Sequence, residues 1–257
     1  MVRVKDIFHY LSELAPLELQ MDFDNSGMQA GHIDQPVSKA VLALDVTRDV
    51  IEEAAEENAQ LIISHHPLIF GGIQSVCDSD PLTGSLLLML IEKGIAAISM
   101  HTNLDIADGG VNDVLLCLLG AEREAVLDSD GCGRIGTLAS SVCLGDFLTS
   151  CASVLHTKGL RFYDAGRPVR RIAVMGGSGG GSLRTAFEKG CDTYVTADVK
   201  YNQFLEAAAL GINLIDGDHF GTEDPVIPEL ARKLREKFPE TDFMVSKKHK
   251  QLISFFC

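Results

Sequence analysis

The chain has 257 residues, 46% of them hydrophobic, enough to bury a core in each of two modest α/β units, which excludes a disordered or low-complexity protein. Its 36 acidic against 22 basic side chains give a formal net charge of −14, which repels phosphate backbones and anionic lipid and disfavours nucleic acid or membrane as the main partner. The longest apolar run, Leu86 to Ile91, is too short to cross a bilayer, so the expected setting is the cytoplasm.

Residues 1–6 open an amphipathic helix with Ile7, Leu11 and Leu14 on one face, unlike the apolar stretch of a signal peptide. From Lys39 strands and helices alternate: strand 40–44, helix 48–58 with Thr47 as its N-cap, strand 61–63, helix 82–93, strand 95–98 and helix 111–119. Such alternation predicts mostly parallel pairing with right-handed crossovers. Residues 122–134 break the pattern with charges and Gly131-Cys132-Gly133, the best candidate for a domain junction. A second alternation runs through helix 144–155, strand 171–175, helix 182–189, strand 193–196, helix 201–210, strand 212–215 and helix 223–237, with Pro225 tolerated in the last helix's first turn. The fold class is therefore α/β, two α/β domains with mixed, mostly parallel sheets, at 1–127 and 128–257, with the last strand able to pack back on the first domain. Lys247-Lys248-His249-Lys250 reads as a solvated turn before a terminal strand. Seven cysteines without a C-x-x-C pair read as reduced, mostly buried thiols.

Three groups of metal-capable side chains each follow a short apolar run, where an open α/β sheet presents its loops. His65-His66 follows residues 61–64. Adjacent strand residues face opposite ways, so this pair shares one site only if the chain has already turned, as Pro67 and Gly71-Gly72 favour. Otherwise each serves a different metal, or the dipeptide is a surface or core accident. His101 and Asp105 follow residues 95–98 in a polar loop. A carboxylate can bridge two cations whereas imidazole binds one, so an Asp among several His suits a dinuclear centre, although a loop or capping role accounts for Asp105 equally well. His219 and Glu223 follow residues 212–215, and their four-residue spacing lets them converge on one helical turn, with Thr222 available as its cap. The stretch Gly176-Gly177-Ser178-Gly179-Gly180-Gly181 could aim backbone N–H groups at a phosphate, but matches neither dinucleotide nor P-loop spacing, and a tight turn or close packing explains it too.

The segments Ser64-His65-His66-Pro67, His101-Thr102-Asn103-Leu104-Asp105, Gly110-Val111-Asn112-Asp113, Gly176-Gly177-Ser178-Gly179-Gly180 and Asp218-His219-Phe220-Gly221-Thr222-Glu223, with Phe23-Asp24-Asn25-Ser26-Gly27-Met28-Gln29 near the N-terminus, resemble the Nif-three-like family. Its members carry the label GTP cyclohydrolase I type 2 homologue, and the segments span nearly the whole chain in the family's order. The resemblance implies a two-domain subunit of the short form, without an inserted domain, assembled into a homohexameric ring. It also implies two divalent metal ions per subunit, held by His65, His66, Asp105, His219 and Glu223. Zinc, iron, manganese, nickel and magnesium all suit such ligands. The implied activity is metal-dependent hydrolysis of a nucleotide or another phosphorylated small molecule, in the family's terms the opening of the guanine ring of GTP with release of formate. His101, beside these ligands, is then the candidate catalytic proton shuttle, or a residue that orients Asp105. Asn202 stands where the family's pattern has His, and Ala197 where Gly is common. Those departures, with few Lys and Arg near the proposed site, favour the alternative: a non-catalytic metal-binding ring that stores or delivers a cation, or a protein-interaction adaptor.

Overall fold

The computed structural model describes residues 1–73, 75–79, 82–254 and 256, and it divides into two compact units. The first comprises Met1–Ala107 and Ile227–Lys250; the second comprises Asp108–Val226 and the residues from Gln251 onward. The sequence-based boundary at 127/128 falls inside the second unit.

The first unit runs α1 (Val4–Leu14), β1 (Gly27–Ala30), β2 (Lys39–Ala43), α2 (Arg48–Glu56), β3 (Leu61–Ser64), α3 (Thr83–Lys93), β4 (Ala96–Ser99) and α4 (Thr102–Ile106). Helix α1 forms because Val4, Ile7 and Leu11 recur on one face and bury it. Helix α2 starts where the Thr47 hydroxyl accepts the Val50 N–H at 3.3 Å, the cap its sequence announces. Strands β2, β3 and β4 are buried along nearly their whole length and pair in parallel, as continuous apolar runs require. Val41, Ile62 and Ala97 pack with Ile51, Leu87 and Leu90 in one core cluster. Two elements were not evident from sequence: β1, which adds antiparallel to β4 at the sheet edge, and α4, where a polar loop was expected.

The second unit runs α5 (Val111–Leu118), β5 (Ala121–Val126), β6 (Arg134–Val142), α6 (Leu144–Val154), β7 (Arg161–Tyr163), β8 (Val169–Val174), α7 (Leu183–Glu188), β9 (Thr193–Thr196), α8 (Tyr201–Leu210), β10 (Asn213–Asp216) and α9 (His219–Glu223). Its sheet has the order β5-β6-β8-β9-β10-β7 among the described residues, with β8, β9 and β10 parallel and the remaining neighbours antiparallel. Residues 122–134, read from sequence as a junction, are the β5–β6 hairpin, closed by Asp128 N–H donating to Cys132 O at 2.9 Å. Leu115, Phe147, Cys151, Ile172, Val195 and Ile215 belong to this unit's core cluster.

The chain then completes the first unit with α10 (Val226–Lys237) and β11 (Asp242–Val245). The single helix expected over 223–237 is two, because Pro225, between α9 and α10, supplies no N–H. Strand β11 pairs in parallel with β2, giving the order β1-β4-β3-β2-β11 among the described residues. The basic run at 247–250 therefore follows a strand, and the described residues after it form none. Buried Glu53 accepts the Lys247 N–H at 2.9 Å and the Ser246 hydroxyl, and His249 Nε2 lies 3.1 Å from Asp45 Oδ2, so the run is pinned and not merely solvated.

Of the cysteines, Cys132, Cys151 and Cys191 are buried, Cys117 and Cys143 are exposed and Cys77 is intermediate, so the expectation of mostly buried thiols holds for half of these six; Cys257 lies outside the described residues. Burial pushes the Cys151 thiol up to about 12 and Cys191 to about 11, which keeps both protonated and unreactive. Among the described residues, no helix is long and apolar enough to cross a membrane.

Candidate metal centre

In the first unit the functional side chains gather at the C-terminal ends of β3 and β4. The chain turns as β3 ends: Met100 N–H donates to Ser64 O and His66 N–H to Leu44 O, each at 2.9 Å. The Ser64 and Ser99 hydroxyls share a hydrogen bond of 2.7 Å, and the hydroxyl that accepts in it donates to the His66 carbonyl, which lies 2.8 Å from Ser64 Oγ and 3.1 Å from Ser99 Oγ. This turn removes the strand alternation that would have sent His65 and His66 to opposite faces. Their ring centroids lie 5.0 Å apart, and His101, preceding α4, sits 5.2 Å from His65 and 5.5 Å from His66. One ring nitrogen from each of these three imidazoles lies within 4.8 Å of the others. Asp105, in α4, places Oδ1 3.6 Å from His65 Nε2.

Each of these rings is oriented by an oxygen partner at Nδ1. His65, fully buried, has Nδ1 2.7 Å from the Met100 carbonyl. A carbonyl only accepts, so Nδ1 carries a proton and Nε2 is the ring atom on the Asp105 side. His66 Nδ1 lies 2.7 Å from Asp45 Oδ1, and His101 Nδ1 lies 2.7 Å from Asp24 Oδ1. Burial opposes ionisation of both aspartates. Hydrogen bonds from His101 and Thr102 outweigh it at Asp24, and those from His249 and His66 outweigh it at Asp45, so both stay well below the usual carboxylate range. The residue His101 engages through Nδ1 is Asp24, and the residue that aligns His66 is Asp45.

In the second unit, β10 ends at Asp216 and Asp218 caps α9, its carboxylate accepting the Gly221 N–H at 3.3 Å. Thr222, the cap expected from sequence, lies inside the helix. His219 and Glu223 occupy the two ends of α9, with Nε2 3.0 Å from Oε2, the convergence that four-residue spacing predicts. His219 Nδ1 lies 2.7 Å from Asp198 Oδ2. The hydrogen bond to Glu223 is the main reason the His219 imidazole is pushed up to about 9, against the opposing effect of burial. Asp198, at φ 51°, and Asp218, at φ 72°, both hold left-handed backbone on either side of His219. Non-glycine residues rarely adopt such conformations, which tend to collect at functional sites.

The glycine stretch packs against these side chains. Gly176 N–H donates to Asn112 Oδ1 at 2.9 Å, Gly177 N–H to Thr222 Oγ1 at 3.1 Å and Gly179 N–H to Thr196 Oγ1 at 2.9 Å. Those three amides are therefore spent inside the unit and are not aimed at a phosphate. Gly177 has φ 62°, and a Cβ there would fall 2.1 Å from Glu223 Oε1. The absence of a side chain at Gly177 is what gives the Glu223 carboxylate its place.

Sequence reasoning missed the roles of Asp24, Asp45 and Asp198. A signal existed for two of them, since Asp45 closely follows β2 and Asp198 closely follows β9, the same strand-end position that marked the histidines. Asn202 is exposed on α8. The chain thus carries imidazole and carboxylate groups that could hold a metal ion, and among the described residues no cysteine belongs to them.

Comparisons with known proteins agree with the resemblance read from sequence. A GTP cyclohydrolase 1 type 2 homolog of Clostridium perfringens is 33% identical over 262 residues, covering 99% of this chain and 100% of that protein. The crystal structure of the Staphylococcus aureus hypothetical protein SA1388 matches with a TM-score of 0.91 and 27% identity over 99% of both chains. That of a Bacillus cereus protein related to NIF3 matches with a TM-score of 0.90 at 24% identity over 100% of this chain and 99% of that one, a likeness of fold. The model of the family described as Duf34/NIF3 (NGG1p interacting factor 3) matches residues 2–251, and the chain belongs to that family.

Proposed function

We propose that His65, His66, Asp105, His219 and Glu223 ligate a pair of divalent metal ions, and that the chain is a metal-dependent hydrolase of a nucleotide or another phosphorylated small molecule. The observation that carries this reading is the uniform treatment of the imidazoles. In His65, His66 and His219, Nδ1 is engaged by an oxygen of Met100, Asp45 or Asp198 at 2.7 Å, so Nε2 is the ring atom that would hold a cation. Metal-ligating histidines are typically oriented in this way. Bound divalent ions would supply Lewis acidity and an acidified water for hydrolysis.

The chain's own residues supply orientation and proton transfer. Asp45 and Asp198 fix two of the rings, and Asp24 fixes His101 through Nδ1, leaving His101 Nε2 as the atom that takes and returns a proton during the reaction. Relatives named GTP cyclohydrolase 1 type 2 homolog make GTP the first substrate to test. A homohexameric ring and a cytoplasmic location belong to the same reading and are supported by the resemblance. The second reading, a non-catalytic metal-binding ring for storage, delivery or adaptor function, is favoured by Asn202 in place of the family's His.

Turnover of GTP and a panel of phosphoesters by metal-loaded protein tests the proposal. His65→Ala and Glu223→Ala are expected to lower the rate by roughly a hundredfold or more, since loss of a mere orienting partner already costs about 10- to 100-fold. Full turnover in either variant would sink the hydrolase. A loaded wild-type protein that turns over nothing would favour the second reading.

A further inference from the structure

Two phenylalanines beside the imidazole trio lie outside the core. Phe23 is 64% exposed and Phe70 is 60% exposed, with ring centroids 6.3 Å apart and planes at 71°. The Phe70 ring meets His101 edge to face at 6.1 Å and 85°, so the aromatic pair continues directly into the array formed by His101, His65 and His66. Rings this exposed give up most of the stabilisation that burial of a Phe side chain provides. Their positions are fixed by the polar groups next to them.

Asn25 Nδ2 donates to Ile69 O at 2.8 Å, Ile69 N–H donates to Gln29 Oε1 at 3.0 Å, and Gln29 Nε2 donates to Asn25 O at 2.7 Å. These bonds tie the segment carrying Phe23 to the one carrying Phe70. Asp24 anchors the same segment to α4 by accepting the Thr102 N–H at 3.0 Å and facing His101 Nδ1 at 2.7 Å. The segments that carry the two rings are thus tied together before any ligand arrives, and aromatics brought together in this way suit planar π-systems, which stack or meet edge to face at centroid separations of about 4.5–7 Å.

We propose that Phe23 and Phe70 form a stacking platform for the planar heteroaromatic ring of a ligand whose polar end reaches the neighbouring imidazole cluster. The ligand class is a heteroaromatic ring joined to an oxygen-rich group such as a phosphate, because the rings select a π-face while the adjoining site selects oxygen or nitrogen donors. The inference deepens the metal-dependent reading of that site and rests on it for the polar end alone.

The test is calorimetric titration of the metal-loaded full chain with guanosine 5′-monophosphate and with ribose 5-phosphate, which lacks the ring. Guanosine 5′-monophosphate is expected to bind about tenfold more tightly or better, the scale of one stacked base. Phe23→Ala/Phe70→Ala, and the bulkier Phe23→Leu/Phe70→Leu, should abolish that difference and leave ribose 5-phosphate unchanged. Equal binding of both probes, no binding of guanosine 5′-monophosphate at millimolar concentration, or an undiminished difference in both variants would overturn the platform. So would a change of oligomeric mass in the variants with ring discrimination intact, which would make the pair a contact between copies of the chain. Repeating the titration on metal-free protein separates the two readings. Ring discrimination that persists there, in a chain that binds no metal when resupplied, would remove the metal reading and leave the platform standing.

Discussion

Arg134→Ala should destabilise the protein by about 3–5 kcal/mol, the penalty for breaking a buried ion pair by removing one partner. Arg134 is fully buried at the start of β6, and its Nε donates to Asp113 Oδ1 at 3.0 Å. Its Nη1 donates to the carbonyls of Gly131 at 2.9 Å and Gly133 at 3.0 Å. Truncation removes the guanidinium from both hairpin carbonyls in the interior, where water reaches them poorly; Gly133 O keeps the Leu127 N–H at 3.2 Å. Arg123 also bonds Asp113, at 3.2 Å, so the carboxylate keeps one cation and the fold is weakened rather than lost. A thermal melt should show a fall of roughly 10 °C for a chain of this size. A shift of a degree or two would mean that the guanidinium contributes little to the hairpin.

Gly177→Ala is expected to reduce metal affinity by about tenfold or more, in the range seen when support around a metal ligand is lost. The added Cβ would fall 2.1 Å from Glu223 Oε1, 3.1 Å from its Cδ and 3.4 Å from His219 Cε1. Glu223 is only 4% exposed and has little room to yield, so its carboxylate must leave His219. The left-handed backbone at Gly177, φ 62°, adds a strain of about 1 kcal/mol for any L side chain, modest beside the lost ligand geometry. Gly181→Ala in the same stretch is the control, because its Cβ would meet nothing within 4 Å. Metal titrations of the two variants, made well below the melting temperature of each, should diverge sharply. Equal affinities would refute the role assigned to Gly177.

Much of this arrangement is legible in the sequence because it depends on local periodicity and on position after a strand. The buried parallel strands β2, β3, β4, β9 and β10 are short apolar runs with turn signals around them, and the helices between them carry clear apolar faces. Strands β6 and β7 escaped because part of each is exposed and polar, and β1 because Gly27-Met28-Gln29-Ala30 is short and carries a buried Gln, so no apolar run marks them. Helix α4 escaped because five polar and mixed residues leave no helical stripe, although its Asp105 was recognised as a metal-capable group.

At the site, the histidines were visible as residue types in a shared context, while their orientation was not. Asp24 reaches His101 across 77 residues and Asp45 reaches His66 across 21, contacts set by strand order and not by spacing. The glycine stretch was ambiguous for the same reason. Whether its amides faced a phosphate or its own unit depends on Asn112, Thr196 and Thr222, which lie far from it in sequence.

The proposed site would hold two divalent metals on His65, His66, Asp105, His219 and Glu223. Elemental analysis of protein purified without a metal-affinity tag and resupplied with zinc or manganese tests it most directly. About two ions per chain are expected in the wild type, and clearly fewer in His65→Ala and His219→Ala, each of which removes one imidazole donor from a site where every ligand counts. Less than one ion per chain under these conditions, or the full wild-type ratio retained in both variants, would contradict it.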